Sequence, residues 1–176
     1  MGNRQLEMIV GITGSTAGIG KTVLQLPYSF IRFDRCDGDL SDVDLVFEKF
    51  KHCDVFINNA WDGDCQTNLL KHFFEQWKDE DKKILSIGSS VASYSPTGTG
   101  HSDYVKSKKD LRKAHCEIVN LKTTRCKSYL INPGITDTKM TAKQNRKKMT
   151  TQDVAAMVQL VLMNKLYIPE VYFYAE

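Results

Sequence analysis

The chain has 176 residues, 41% of them hydrophobic and 26% charged, with a formal net charge of +3; this is ordinary for one soluble globular domain with a real core. No run approaches the roughly 18 apolar residues of a membrane helix, and no long apolar stretch near the N-terminus suggests a secretory signal. Five cysteines without a C-x-x-C pair suggest neither a disulfide framework nor a zinc site, so reduced thiols, no bound metal and a cytoplasmic location are expected.

Apolar runs and helical patterns alternate along the chain. Residues 6–13 (LEMIVGIT) read as a buried strand and 18–26 as a helix stopped by Pro27. A second strand is predicted over 28–33, then a short amphipathic helix over 43–50 capped by Ser41 or Asp42. A third strand over 54–58 leads to a helix over 67–77 whose apolar side is Leu69, Leu70, Phe73, Phe74 and Trp77. A fourth strand over 84–88 precedes the longest helix, 104–121, and a fifth strand over 126–131 ends in Asn132-Pro133-Gly134. A last helix over 151–163 and a last strand over 170–174 complete the chain. Apolar strands alternating with helices predict an α/β fold, a doubly wound parallel sheet of about six strands with helices on both faces, in a single domain over residues 1–176. In such a sheet, ligands bind beyond the strand carboxyl ends.

Beyond the first strand stands TGSTAGIGKT, residues 13–22. Glycines there let the backbone approach phosphate oxygens. A P-loop needs Gly-x-x-x-x-Gly-Lys-Thr, but the position five before Gly20 is Ser15, and Gly14 is one place too early. The G-x-G-x-x-G dinucleotide spacing also fails, so the loop alone leaves both readings open.

The stretch YVKSK, residues 104–108, carries more. Tyr104 and Lys108 are four apart on a helix and share a face. A phenol near pKa 10 is a poor acid–base at neutral pH, and a nearby ammonium favours its ionised form. SIGSSVA puts Ser89 and Ser90 at the end of the fourth strand, where a hydroxyl can hold a substrate oxygen while Tyr104 moves a proton.

These pieces resemble the short-chain dehydrogenase/reductase family in a shortened, single-domain form. The matching stretches are TGSTAGIG (13–20), NNA (58–60), Ser90, Tyr104-x-x-x-Lys108 and PGITDT (133–138), with DLSD (39–42) and TTQDVAAMV (150–158) beside them. They span nearly the whole chain in the expected order. The resemblance implies a Rossmann-like fold and an NAD(P)-dependent oxidoreductase passing hydride between a nicotinamide and a carbonyl or alcohol substrate. On that reading the glycine loop is a dinucleotide loop and its likeness to a P-loop is accidental.

The resemblance also implies roles. Gly14, Ser15, Gly18, Ile19 and Gly20 would form the pyrophosphate loop, and Asn58 and Ala60 would support the adenosine and ribose side. Ser90 would bind the substrate oxygen, with Ser89 a minor candidate, and Tyr104 would be the general acid or base. Lys108 would hold the nicotinamide ribose and depress the Tyr104 pKa. Asn68 would order a water beside the lysine. Pro133, Gly134, Ile135 and Thr138 would face the nicotinamide and phosphates. At the end of the second strand, Asp34 would accept from the adenosine 2′-OH, and Asp39 belongs to the acidic cluster that would repel a 2′-phosphate. Arg35 pulls the other way, and the balance favours NAD over NADP.

Some features depart from the family pattern. Trp61 stands where the family has a glycine, only one strand fits between the first helix and DLSD, and the lid after Thr138 is about a dozen residues. A non-catalytic NAD(P)-binding sensor or scaffold is therefore the alternative. Lys139, Lys143, Arg146, Lys147 and Lys148 over the pocket suggest an anionic substrate. They lack interleaved aromatics, so neither nucleic acid nor membrane is an expected partner. Leu70, Phe73, Phe74 and Trp77 suggest a pairing face, and cations on the following helix oppose it; a weak homodimer or a monomer is expected. His101 reads as an exposed loop histidine.

Overall fold

The computed structural model describes residues 8–93 and 102–176. Leu6, at the start of the first predicted strand, and His101 lie outside the described residues. The elements in chain order are β1 (Ile9–Thr13), α1 (Gly18–Val23), β2 (Ser29–Phe33), α2 (Val43–Phe50), β3 (Val55–Asn58), α3 (Cys65–Trp77), β4 (Lys83–Ile87), α4 (Ser102–Val119), β5 (Lys127–Pro133), α5 (Thr151–Met163) and β6 (Glu170–Phe173). The strands form one parallel sheet in the order β2-β1-β3-β4-β5-β6.

Alternation along the strands sends side chains to two cores. Phe56, Ile84 and Leu130 pack beneath α2, α3 and α4. Val55, Ile57, Leu85, Ile87 and Ile131 pack beneath α1 and α5. In the first core Phe56 and Phe73 stack with centroids 4.0 Å apart, and Phe47 of α2 lies edge-on to Phe73. That packing corrects the expectation of a spare apolar face on α3: Leu70, Phe73, Phe74 and Trp77 are all buried inside the chain. Leu121, the predicted end of the longest helix, lies past the end of α4 and is exposed.

Helix boundaries follow local chemistry. The Asp42 carboxylate accepts from Leu45 N and caps α2, and Thr150 and Asp153 form a reciprocal capping box on α5. α1 stops at Val23, three residues before the predicted end. Leu24 to Leu26 turn instead, because the residue before Pro27 is steered away from helical backbone. Only β2 lies between α1 and the DLSD turn, and it forms the sheet edge beside β1.

Candidate active site

The carboxyl ends of β1, β3, β4 and β5 bring together the segments singled out in the sequence. After β1, Gly14 and Gly18 take the left-handed region at φ 70° and 54°, which glycine adopts without strain. A Cβ on Gly20 would meet the Gly14 carbonyl oxygen at 2.2 Å, so the loop closes tightly on itself. It is held from the end of β3 by Asn59, the middle residue of NNA, to which the sequence reading assigns no role of its own. Asn59 Nδ2 donates to the Thr13 and Gly14 carbonyls at 3.0 and 2.9 Å, and Asn59 N and Ala60 N both donate to Thr13 Oγ1 at 3.1 Å. Asn58 faces inward, fully buried, and its Nδ2 donates to the Gln66 carbonyl at 2.7 Å.

Ser15 is buried and its backbone N donates to Asp34 Oδ1 at 2.6 Å, while its hydroxyl donates to Oδ2 at 2.9 Å. Arg32 Nη2 pairs with the same Oδ2 at 2.9 Å. The Asp34 carboxylate thus braces the glycine loop as well as standing at the end of β2. Arg35 and Asp39 are exposed, and the Asp39 carboxylate accepts from Ser41 N and Oγ.

Tyr104 and Lys108 do share one face of α4: Lys108 Nζ lies 5.5 Å from the Tyr104 ring centroid. Their electrostatics differ from the simple expectation. Burial pushes the Tyr104 phenol above its ordinary value, and a hydrogen bond from the Ser89 side chain pulls the other way. Burial lowers the Lys108 ammonium to about 7. Its Nζ donates to Gln66 Oε1 at 2.6 Å and to the Ile87 carbonyl at 2.9 Å. Gln66 Nε2 in turn donates to the Asn58 carbonyl at 2.8 Å.

Two site assignments shift. Ser89, not Ser90, meets Tyr104. β4 runs on extended to Ser89, and Ser90 begins a 3₁₀ turn, Ser90–Ala92, that Ser89 caps. Asn68 is exposed on α3, and Gln66 reaches Lys108 in its place. Two residues along a helix is about 200° of rotation, so the two side chains stand on opposite faces.

Trp61 occupies the rim. Its Nε1 donates to Ser107 Oγ at 2.9 Å, and its ring meets Tyr104 edge-on with centroids 5.1 Å apart. After β5, Gly134 N donates to the Phe173 carbonyl, and Met149 N returns to the Ile135 carbonyl at 2.8 Å, closing the base of the lid. Thr138 caps the turn Lys139–Thr141, and its methyl lies 3.5 Å from where a Gly18 Cβ would stand. Lys139, Lys143, Arg146 and Lys147 are exposed on that lid, while Lys148 pairs with Asp137 at 3.5 Å. Among the described residues no group of three His, Cys, Asp or Glu could hold a metal, and no helix is long and apolar enough to cross a membrane.

No protein-family model matches the sequence, and no curated protein sequence matches it. Solved structures do. A short-chain dehydrogenase from Burkholderia cenocepacia in complex with NADP superposes with a TM-score of 0.79 at 16% identity, covering 96% of this chain and 89% of that one. A 3-alpha-hydroxysteroid dehydrogenase from a Pseudomonas species, complexed with NADH, gives 0.75 at 16% identity over 94% and 95% of the two chains. A 3-ketoacyl-(acyl-carrier-protein) reductase from Brucella melitensis, complexed with NADH, gives 0.76 at 14% identity over 95% and 96%. The chain has the fold of the short-chain dehydrogenases and reductases.

Proposed function

We propose that the protein is an NAD(P)-dependent oxidoreductase that interconverts a carbonyl and an alcohol, with Tyr104 as general acid or base. The observation that carries this reading is the contact of Ser89 with the Tyr104 phenol, close to the buried Lys108 amine. The structures with this fold named above, solved with NADP or NADH, support the same class of reaction.

The residues fit a dinucleotide. Gly14 and Gly18 at positive φ, and Gly20 packed on the Gly14 carbonyl, make the tight side-chain-free turn at the end of β1 that a pyrophosphate can approach closely. Gly14, Gly18, Ile19 and Gly20 would hold the pyrophosphate, Ala60 would line the ribose side, and Pro133, Gly134, Ile135 and Thr138 would line the nicotinamide end. Bound there, the nicotinamide supplies or accepts the hydride.

The remaining steps belong to the protein. Ser89 Oγ holds the substrate oxygen beside the phenol. In reduction Tyr104 gives that oxygen its proton, and in oxidation it takes the proton away. A phenol raised by burial holds its proton, so giving that proton to substrate needs positive charge near Lys108 to stabilise the phenolate left behind, and the same charge keeps the phenolate available as base in oxidation. Lys108 has used two of its three donors on Gln66 and Ile87, which leaves one for a ribose hydroxyl.

NAD(H) is the proposed cofactor. Arg32 spends its charge on Asp34, and the exposed Arg35 precedes the acidic Asp37 and Asp39 in the chain, so the surroundings of a 2′-phosphate would carry negative charge as well as positive. The exposed lid cations support an anionic carbonyl substrate. The outer faces of α3 and α4 are charged, with Lys106 paired to Asp110, and the apolar residues of α3 are spent internally. A monomer or weak dimer follows, and a tight, salt-independent dimer by sedimentation would overturn it.

The test of the main reading is turnover of NADH and NADPH against a carbonyl panel. Tyr104→Phe should bind cofactor as the native chain does and lose roughly 10²–10⁴ in kcat. Full turnover in Tyr104→Phe would remove the assigned role.

A further inference from the structure

Ser89 is held by more than its own turn. Its backbone N donates to Asn132 Oδ1 at 3.1 Å, across to the end of β5. Asn132 is fully buried, and a Cβ on Gly88 would stand 2.2 Å from that oxygen, so the reach depends on a glycine beneath it. Asn132 Nδ2 then donates to Glu170 Oε1 at 3.0 Å. The far end of the serine turn follows a second route. Ser93 Oγ donates to Tyr172 OH at 2.5 Å, and Tyr172 OH donates to the same Glu170 Oε1 at 2.8 Å. Both ends of the segment 89–93 therefore converge on one carboxylate oxygen on the edge strand β6.

That carboxylate is anchored in turn. Arg112 Nε donates to Glu170 Oε1 at 2.7 Å and Nη2 to Oε2 at 3.2 Å. This is the forked geometry that fixes position as well as charge. Arg112 is one helical turn beyond Lys108 and two beyond Tyr104 on α4. Burial works to raise the Glu170 carboxyl, and the hydrogen bonds from Arg112 and Tyr172 outweigh it, so it stays ionised well into acid. His115, the other titratable group facing it, is kept neutral by burial, with its pKa lowered to about 4 and Nδ1 2.8 Å from Ser128 Oγ.

We propose that Glu170 is a positioning residue: through Asn132 and Tyr172 it sets Ser89 against Tyr104, and through Arg112 it ties that turn to the helix bearing Tyr104 and Lys108. The proposal rests on the oxidoreductase reading for its consequence in catalysis, but its geometry can be read without turnover. Glu170 touches neither Tyr104 nor a reacting atom, so its effect must pass through Ser89.

The test follows the Tyr104 phenol by ¹³C-tyrosine NMR across a pH titration, with Tyr104→Phe identifying the resonance. Ser89→Ala should move the Tyr104 titration upward by about one pH unit, the effect of one lost hydrogen bond to the ionised form. Glu170→Gln should move it in the same direction, and Ser89→Ala combined with Glu170→Gln should move it no further than Ser89→Ala alone. Tyr172→Phe removes one hydroxyl, leaves the packing intact and should give a partial shift; it tests the same route if Glu170 variants fold poorly. In turnover, Glu170→Gln should lower kcat about tenfold with the KM for cofactor unchanged. Additive shifts, or a Tyr104 titration at its native position in both Glu170→Gln and Tyr172→Phe, would overturn the proposal. Absence of turnover in the native chain with every carbonyl would instead sink the oxidoreductase reading, and the tyrosine titration would still decide the role of Glu170.

Discussion

Lys108 Nζ donates to Gln66 Oε1 across 2.6 Å, joining α4 to α3 beneath the candidate active site. The pair is buried, Lys108 at 4% and Gln66 at 2% exposure, and Gln66 offers a neutral acceptor where a charged one would hold the ammonium better. The lysine therefore titrates at about 7 instead of its ordinary 10.5.

Stability should record this. Between about 7 and 10.5 the unfolded chain binds a proton at Lys108 that the folded chain does not, so folding stability from this group rises with pH across that window. Each unit of difference is worth about 1.4 kcal/mol. Below 7 both states are protonated and that increment is absent. Thermal unfolding of Lys108→Met should lack the rise. Gln66→Glu should shrink it, because a carboxylate beside the ammonium returns the lysine toward its ordinary value. A native profile that is flat from about pH 7 to 10 and matches Lys108→Met would show that the amine stays charged when buried.

The position of Gln66 also shows where sequence reading reaches and where it stops. The apolar series Leu70, Phe73 and Trp77 continues backward to Gln66 at the helical period, so α3 itself marks that residue as inward-facing. Asn68 fits the family by residue type but not by that period, and the structure exposes it. The alternation of strands and helices was legible because β1, β3, β4 and β5 each carry a short, mostly apolar run buried on both faces. The glycine loop and the Tyr104–Lys108 spacing were legible because both depend on local backbone geometry. The choice between Ser89 and Ser90 was not local. It depends on Asn132 accepting from Ser89 N, 43 residues away, and no spacing within SIGSSVA carries that information. The same holds for Asn59, whose side chain ties the loop after β1 to the end of β3.

The serine assignment separates cleanly by mutation. Ser89→Ala removes a hydroxyl placed on the Tyr104 phenol and should cost about 10²-fold in kcat, as loss of one donor to a reacting oxygen does. Ser90→Ala should turn over near the native rate, since Ser90 belongs to the 3₁₀ turn that Ser89 caps. Steady-state kinetics with one reducible carbonyl measures both. A larger loss in Ser90→Ala than in Ser89→Ala would reverse the assignment.

Asp34 joins cofactor choice to the shape of the glycine loop. Its carboxylate accepts from Ser15 N and Oγ and neutralises Arg32. Asp34→Ala would remove the acceptor proposed for a ribose hydroxyl, release Ser15 and free the Arg32 guanidinium from its carboxylate. Affinity for NADH should fall, and affinity for NADPH should rise relative to it, because a freed guanidinium can take a phosphate with charge-assisted hydrogen bonds. Dissociation constants for both nucleotides, measured by quenching of tryptophan fluorescence at fixed salt, give the ratio. A native chain that already prefers NADPH would show that Arg32 leaves Asp34 when the cofactor arrives.

The lid cations act at longer range and should respond to salt. Lys143, Arg146 and Lys147 are exposed on the loop that follows β5 and is pinned at its base by Met149 and Ile135, so their charges face solvent. Exposed charges attract an anion across a Debye length of about 10 Å at 0.1 M salt, and the attraction is largely screened at about 1 M. For a carboxylated carbonyl substrate, kcat/KM should therefore fall as salt rises, while kcat changes little, because steering acts on encounter and not on the proton transfer at Tyr104. Replacing Lys143, Arg146 and Lys147 together by Gln should lower kcat/KM at low salt and flatten its salt dependence. A neutral carbonyl compound serves as the control, since it should feel neither the substitutions nor the salt. Equal salt dependence for the neutral and carboxylated substrates would place the effect on the cofactor, whose pyrophosphate is also an anion, and would remove the lid from substrate selection.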